Sequence, residues 1–143
     1  MSTVLSSWQF WAVLSALFAA LTAIFAKVGV ENIGADLATF IRTLVVIVLL
    51  AAILIASGQF QPPSSIARRT WLFLLLSGLA TGASWACYFR ALKIGQAAKV
   101  APIDKLSVVL VAIFGVVFLG EKLALLNWLG VALIAAGAIL VAL

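Results

Sequence analysis

The sequence predicts an all-α integral membrane protein with five transmembrane helices. Of its 143 residues, 66% are hydrophobic, and only 9 are basic and 4 acidic. A membrane-spanning helix needs about 20 mostly apolar residues, whereas an open strand edge leaves backbone groups unsatisfied in lipid. Four long segments carry no charge, 8–26, 43–67, 70–89 and 123–143, and a fifth, 106–120, extends back through 100–103 if Asp104 and Lys105 are tolerated inside a helix.

The five helices follow one another through short loops within a single domain of residues 1–143. We predict them at about 8–28, 37–57, 71–92, 100–119 and 125–143. Trp8 and Trp11 open the first helix at the depth of the lipid headgroups. Pro62 and Pro63 interrupt the chain between the second and third helices. Pro102 falls in the first turn of the predicted fourth helix, where a missing N–H is tolerated.

The composition excludes several function classes. With no His and a single Cys, neither a metal site nor an intrachain disulfide is expected. We also expect no cofactor and no enzymatic activity, because no nucleophile and base can be paired. The net charge of +5 indicates membrane-flanking loops rather than nucleic-acid binding, because the chain has no basic stripe with interleaved aromatic residues.

The predicted third helix carries the clearest polar face. Four residues recur on it at helical spacing: Ser77, Thr81, Ser84 and Tyr88. A neighbouring stripe contains Gly78, Gly82 and Trp85, and the two glycines would let another helix approach closely. Two interpretations stay open, since the hydroxyls either bond to carbonyls of their own helix or line a cavity for a solute.

The other helices offer fewer candidates for such a cavity. They are Ser15 and Thr22 of the first helix, Thr39 and Arg42 of the second, and Asp104, Lys105 and Ser107 of the fourth. The pair on the first helix fits close helix packing as well. The fifth helix has neither a charge nor a hydroxyl, but its Gly130 and Gly137 favour packing against another helix or in a dimer seam.

Connectivity assigns the embedded basic residues to one membrane face. The first and third helices end, and the second and fourth begin, on the same face, which we name side A; the opposite face is side B. Arg42, Arg90 and Lys105 are expected near side A, with Asp36 and Asp104 nearby. Arg42 and Lys105 are expected about five residues, or ~8 Å, deeper than Arg90. Such residues either snorkel to the headgroups or form an internal pair or site. A basic vestibule there would attract an anionic or zwitterionic solute.

The loop charges bear on the orientation of the chain. Side A has Lys27, Lys93 and Lys99, and side B has Arg68, Arg69 and Lys122. This balance orients the chain weakly and favours an antiparallel homodimer. Counting the three embedded basic residues gives six against three, which would instead hold side A in the cytoplasm. Parallel and heteromeric assemblies therefore stay open.

Four strings resemble one half of an EamA-type member of the drug/metabolite transporter superfamily. They are ALKIG at 91–95, APIDKLS at 101–107, FLGEK at 118–122 and GVALIAAG at 130–137. The Leu-Gly-Glu of 119–121, followed by the glycine-spaced helix, is the strongest part. The chain is most similar to the single-repeat, five-helix bacterial and archaeal branch. The resemblance implies half of a ten-helix inverted-repeat fold, in a bacterial or archaeal cytoplasmic membrane.

The resemblance also implies a function. Ten-helix relatives move small metabolites by alternating access through a cavity between two inverted units, so a single-repeat chain would have to form a homodimer. Four-helix multidrug members carry a carboxylate within their first helix, but residues 18–22 have none here, which argues against proton-coupled export by that device. A flippase-like or accessory subunit for a lipid-linked substrate and a non-transporting membrane scaffold are the alternatives.

Overall fold

The computed structural model describes residues 7–143, and in that part of the chain it consists of helices and loops without any strand. The helices are α1 (Trp8–Gly29), α2 (Ala35–Ser57), α3 (Arg68–Ile94), α4 (Ala97–Asp104), α5 (Ser107–Leu119) and α6 (Leu125–Ala142), with a single 3₁₀ turn at Pro63–Ser65. The prediction of an all-α protein is confirmed.

Local chemistry sets several helix ends. The hydroxyl of Ser7 accepts a hydrogen bond of 3.3 Å from the backbone N–H of Phe10, so Ser7 caps the first turn of α1. At the end of α2, Gly58 adopts a left-handed conformation with φ +64° and its N–H returns to the carbonyl of Ile55. This conformation suits glycine because it has no Cβ.

The predicted fourth helix differs from the structure in two ways. It begins at Ala97 rather than near 100, and it is interrupted after Asp104 before α5 starts at Ser107. Pro102 therefore lies in the last turn of α4 and not in a first turn. At the interruption, Leu106 N–H bonds to the carbonyl of Ile103 and Val108 N–H to that of Lys105, both over three residues, which tightens the chain into a short 3₁₀-like turn.

Five segments are long and apolar enough to cross a membrane. They are α1, α2, α3, the combined segment Ala97–Leu119 and α6, with 18 to 27 residues each. At a rise of about 1.5 Å per residue, even the shortest has close to the length of the hydrocarbon core. The prediction of five spans is thus confirmed for length and composition.

The chain divides into two compact units. One combines the described residues up to Phe25 with Ile94–Leu143, and in it α4 and α5 pack against α6. The other is Ala26–Lys93, which contains the end of α1 together with α2 and most of α3. Its buried residues are Ala26, Val30, Ala38, Phe89 and Leu92, all near side A. By contrast, every residue of 47–57 and of 68–84 is exposed.

Candidate functional site

The most distinctive polar group of the unit Ala26–Lys93 is the guanidinium of Arg42. Its Cζ lies 4.1 Å from the ring centroid of Trp85 and 5.6 Å from that of Phe89. Trp85 and Phe89 are four residues apart on α3 and hence on one face. The Arg42 side chain on α2 therefore forms a cation–π contact with α3.

The depth of Arg42 follows from a neighbouring ion pair. Arg90 Nη2 lies 2.9 Å from Asp36 Oδ1, so these two residues stand at one level. Arg42 follows Asp36 by six residues and Trp85 precedes Arg90 by five, which places both about 8–9 Å further into the membrane at the helical rise. This spacing agrees with the expectation that Arg42 lies about five residues deeper than Arg90, which pairs with Asp36 near the helix ends.

The Arg42 guanidinium lies closer to Trp85 than to Phe89. Trp85 is the one of these two rings that lies further along α3 from the Arg90–Asp36 pair. A charged side chain inside a span is costly, and a cation–π contact offsets about 0.5–2 kcal/mol of that cost. No carboxylate of residues 7–143 pairs with Arg42.

Two lysines near side A connect the end of α1 and the loop that follows it to the end of α3. Lys27 Nζ donates to the carbonyl oxygen of Leu92 at 2.7 Å, and Lys93 Nζ donates to the carbonyl oxygen of Ile33. Leu92 lies in the last turn of α3, where carbonyls lack helical partners and cations are favourable. We name Lys27, Ile33, Asp36, Arg90, Leu92 and Lys93 the side-A collar.

Two of the candidate hydroxyl groups bond to carbonyls of their own helix, which is the first of the two interpretations given above. Thr39 Oγ1 donates to the Ala35 carbonyl at 2.8 Å, and Thr81 Oγ1 donates to the Ser77 carbonyl at 2.9 Å. Ser77, Thr81 and Ser84 are exposed, whereas Tyr88 is half-buried. Each hydroxyl oxygen keeps lone pairs that can accept a hydrogen bond from a solute.

The remaining candidates lie in the other unit. Asp104 Oδ2 is 3.5 Å from Lys105 Nζ, its neighbour at the α4–α5 interruption. Ser107 is exposed at the start of α5, Ser15 is exposed on α1, and Thr22 is half-buried there. The structure thus brings Arg42 together with Trp85 in one unit, and Asp104 with Lys105 in the other.

A contact that the sequence pattern did not indicate joins Gly115 and Glu121. Gly115 is buried on α5, and a Cβ built on it would lie 2.6 Å from Glu121 Oε2. The N–H groups of Gly120 and Glu121 both point to the Gly115 carbonyl, and Gly120 has φ +70°. Glycines at both positions thus let the loop carboxylate fold back on the end of its own helix. In the sequence, the signal for this contact is the spacing of six residues between Gly115 inside the helix and Glu121 just after its end.

Comparison with known proteins now adds to this geometry. The model of the EamA-like transporter family matches residues 6–143. The chain belongs to the EamA-like transporter family. An "Uncharacterized transporter in cobO 3'region" from a Sinorhizobium species is 72% identical over 136 residues, which cover 95% of this chain and 96% of that relative. No solved structure matches the chain.

Membership confirms the resemblance drawn from the four sequence strings. An EamA-like chain with five apolar helices is an integral, multi-pass membrane protein and a membrane transporter. Within residues 7–143, no group of three or more His, Cys, Asp or Glu side chains is placed to hold a metal ion.

Proposed function

We propose that this EamA-like chain is a homodimeric transporter of small metabolites that works by alternating access. Its cavity is lined by α1, α2, α3 and the α4–α5 segment, and its two copies are antiparallel. The partners are thus a second copy, membrane lipid and a small-molecule solute, with no role for nucleic acid. The Sinorhizobium relative supports placing the dimer in a bacterial cytoplasmic membrane.

The exposed polar face of α3 carries this proposal. Ser77, Thr81 and Ser84 are exposed within a membrane span. A Cβ on Gly78 or Gly82 would meet no atom within 4 Å, so no other helix of the unit Ala26–Lys93 packs closely on this stripe. Lipid offers hydroxyl groups no hydrogen-bond partners, whereas a second copy facing α3 would enclose them in a polar cavity.

The arrangement of the two copies rests on separate observations. The loop basic residues are balanced at three per side, which supports insertion in both orientations. On α6, a Cβ on Gly130 or Gly137 would also meet nothing within 4 Å. These two glycines remain free for close approach by another helix, and we assign them to the dimer contact.

The cavity is tested by cysteine accessibility on α3. Thr81→Cys and Ser84→Cys, each in a Cys87→Ala background, should react with a membrane-impermeant maleimide in proteoliposomes. Leu79→Cys is the matched control, since Leu79 is exposed and its side chain leaves α3 about 200° around the helix from Thr81. Protection of both test positions to the level of Leu79→Cys would refute the cavity.

Orientation is tested by reporters fused to the C-terminus. One reporter is active only in the cytoplasm and the other only outside it, and both should give signal if the chain inserts both ways. A lysine added to one loop should then shift the ratio, because basic loops prefer the cytoplasm. Signal from a single reporter that such a lysine leaves unchanged would exclude the antiparallel homodimer.

A further inference from the structure

Arg42 differs from the other basic residues of the part of the chain that the structure describes. Three lysines donate to backbone carbonyls, and two basic residues pair with aspartates: Lys27, Lys93 and Lys99, then Arg90 and Lys105. The others lie outside the spans or at their first residues: Arg68, Arg69 and Lys122. Within residues 7–143, Arg42 is the basic residue well inside a span that has neither an ion pair nor a hydrogen bond.

The geometry of the contact leaves the hydrogen-bonding capacity of Arg42 unused. The ring of Trp85 interacts with the positive charge but accepts none of the five N–H donors in the way an oxygen does. Guanidinium donors form a planar fork that matches a carboxylate or a phosphate. In a region of low dielectric constant such a charged pair is strongly favoured over a lone cation.

The position of the guanidinium suits a ligand held in a polar cavity within the span. It lies on the deeper ring, Trp85, and below the level of the Arg90–Asp36 pair. Asp36 is engaged by Arg90, so it does not compete for Arg42. Both Arg42 and Trp85 belong to the unit Ala26–Lys93, and the pair is therefore complete within one unit of one copy.

We propose that Arg42, oriented by Trp85, binds the anionic group of the transported solute, a carboxylate or a phosphate. This assignment rests on the proposed transport cavity and adds to it the charge of the substrate. Arg42 supplies the bidentate donor pair, and Trp85 keeps the guanidinium from turning toward the headgroups. Neutral and cationic solutes lack the group that this site recognises.

The test measures the reaction of each arginine with 4-hydroxyphenylglyoxal, a water-soluble reagent specific for guanidinium groups. The full chain in phosphatidylcholine vesicles is treated with sodium acetate, sodium phosphate or glycerol at matched ionic strength, and mass spectrometry reads each modified arginine. An anion at ten times its dissociation constant should slow modification of Arg42 about tenfold. Arg90 is the internal control, because Asp36 already occupies it. Trp85→Leu should weaken the protection of Arg42 and leave Arg90 unchanged.

The other outcomes separate this inference from the proposed function. Modification of Arg42 that neither anion slows would overturn the anion site and leave the cavity standing. An Arg42 that never reacts, while Arg68 and Arg69 do, would overturn both, because water does not reach it. Protection that occurs only in vesicles containing phosphatidylglycerol would overturn the solute assignment and show that a lipid phosphate occupies the site.

Discussion

The two halves of α2 and α3 in the unit Ala26–Lys93 have different surroundings. Near side A, small and branched residues such as Ala38 and Val30 are buried beside Phe89 and Leu92, and the side-A collar links them through charged side chains. In the other half, all of 47–57 and 68–84 is exposed. The exposed segment 47–57 is wholly uncharged and largely apolar, so apolar character alone does not determine where helices of one chain pack.

The difference shows what holds a membrane helix pair together. Lipid tails are as apolar as leucine, so apolar surface by itself gives little reason for helices to associate. Close packing of small residues and bonds from cations to unpaired carbonyls supply the association near side A. The exposed half has hydroxyls and glycines but no such partners within the chain, which is what a surface completed by another molecule requires.

The largest effect is expected from Leu92→Ala. Leu92 is 0% exposed, and its truncation removes packing contacts in the collar. Because lipid already surrounds apolar groups in the unfolded reference state, we expect about 2 kcal/mol of destabilisation, the lower end of the range for buried leucines. Unfolding by sodium dodecyl sulfate in mixed micelles measures it.

Leu79→Ala is the matched control for that change. Leu79 is 65% exposed in the other half of α3, so its truncation in a single chain should alter the unfolding free energy by less than about 0.5 kcal/mol. Equal effects at Leu92 and Leu79 would show that the two halves are packed alike, and the comparison between them would then be wrong.

A smaller effect is expected from Lys27→Met. The change keeps a long unbranched side chain but removes the ammonium group and its hydrogen bond to the Leu92 carbonyl. A bond from a charged donor contributes about 1.5–3 kcal/mol, and we expect the lower end because Lys27 is only half-buried. Lys122→Met serves as the control, since Lys122 is exposed between α5 and α6. An unchanged midpoint of thermal unfolding for Lys27→Met would mean that the collar does not depend on this bond.

Much of the fold could be predicted from the sequence, for a clear physical reason. Spans must satisfy their own backbone groups in lipid, so long uncharged segments translate directly into helices. The interruption between Asp104 and Ser107 was not predicted, because Pro102 was assigned to a first turn. Counting apolar residues from Val100 missed the start at Ala97, because the charged Lys99 lies in the first turn of α4.

Less of the candidate site could be predicted from the sequence. Helical spacing placed Trp85 on a stripe of α3, but the contact with Arg42 depends on how α2 is rotated about its axis, which no local pattern determines. The Asp36–Arg90 pair was equally hidden, since its partners are 54 residues apart. Residues that act within one helix are visible in its periodicity, whereas pairs between helices require the structure.

The smallest effect is expected from the Asp36–Arg90 pair. Its size and salt dependence report whether the side-A collar is exposed to water. The side chains are 70% and 61% exposed, so a double-mutant cycle with Asp36→Asn and Arg90→Gln should give a coupling of about 0.2–1 kcal/mol. The coupling should fall as salt is raised, because exposed charges are screened over about 10 Å at 0.1 M. Unfolding of the four proteins at low and high salt measures both quantities. A coupling well above this range that does not respond to salt would place the pair within the hydrocarbon region. Arg42 would then lie deeper still in the membrane, and the side-A collar would be shielded from water rather than exposed to it.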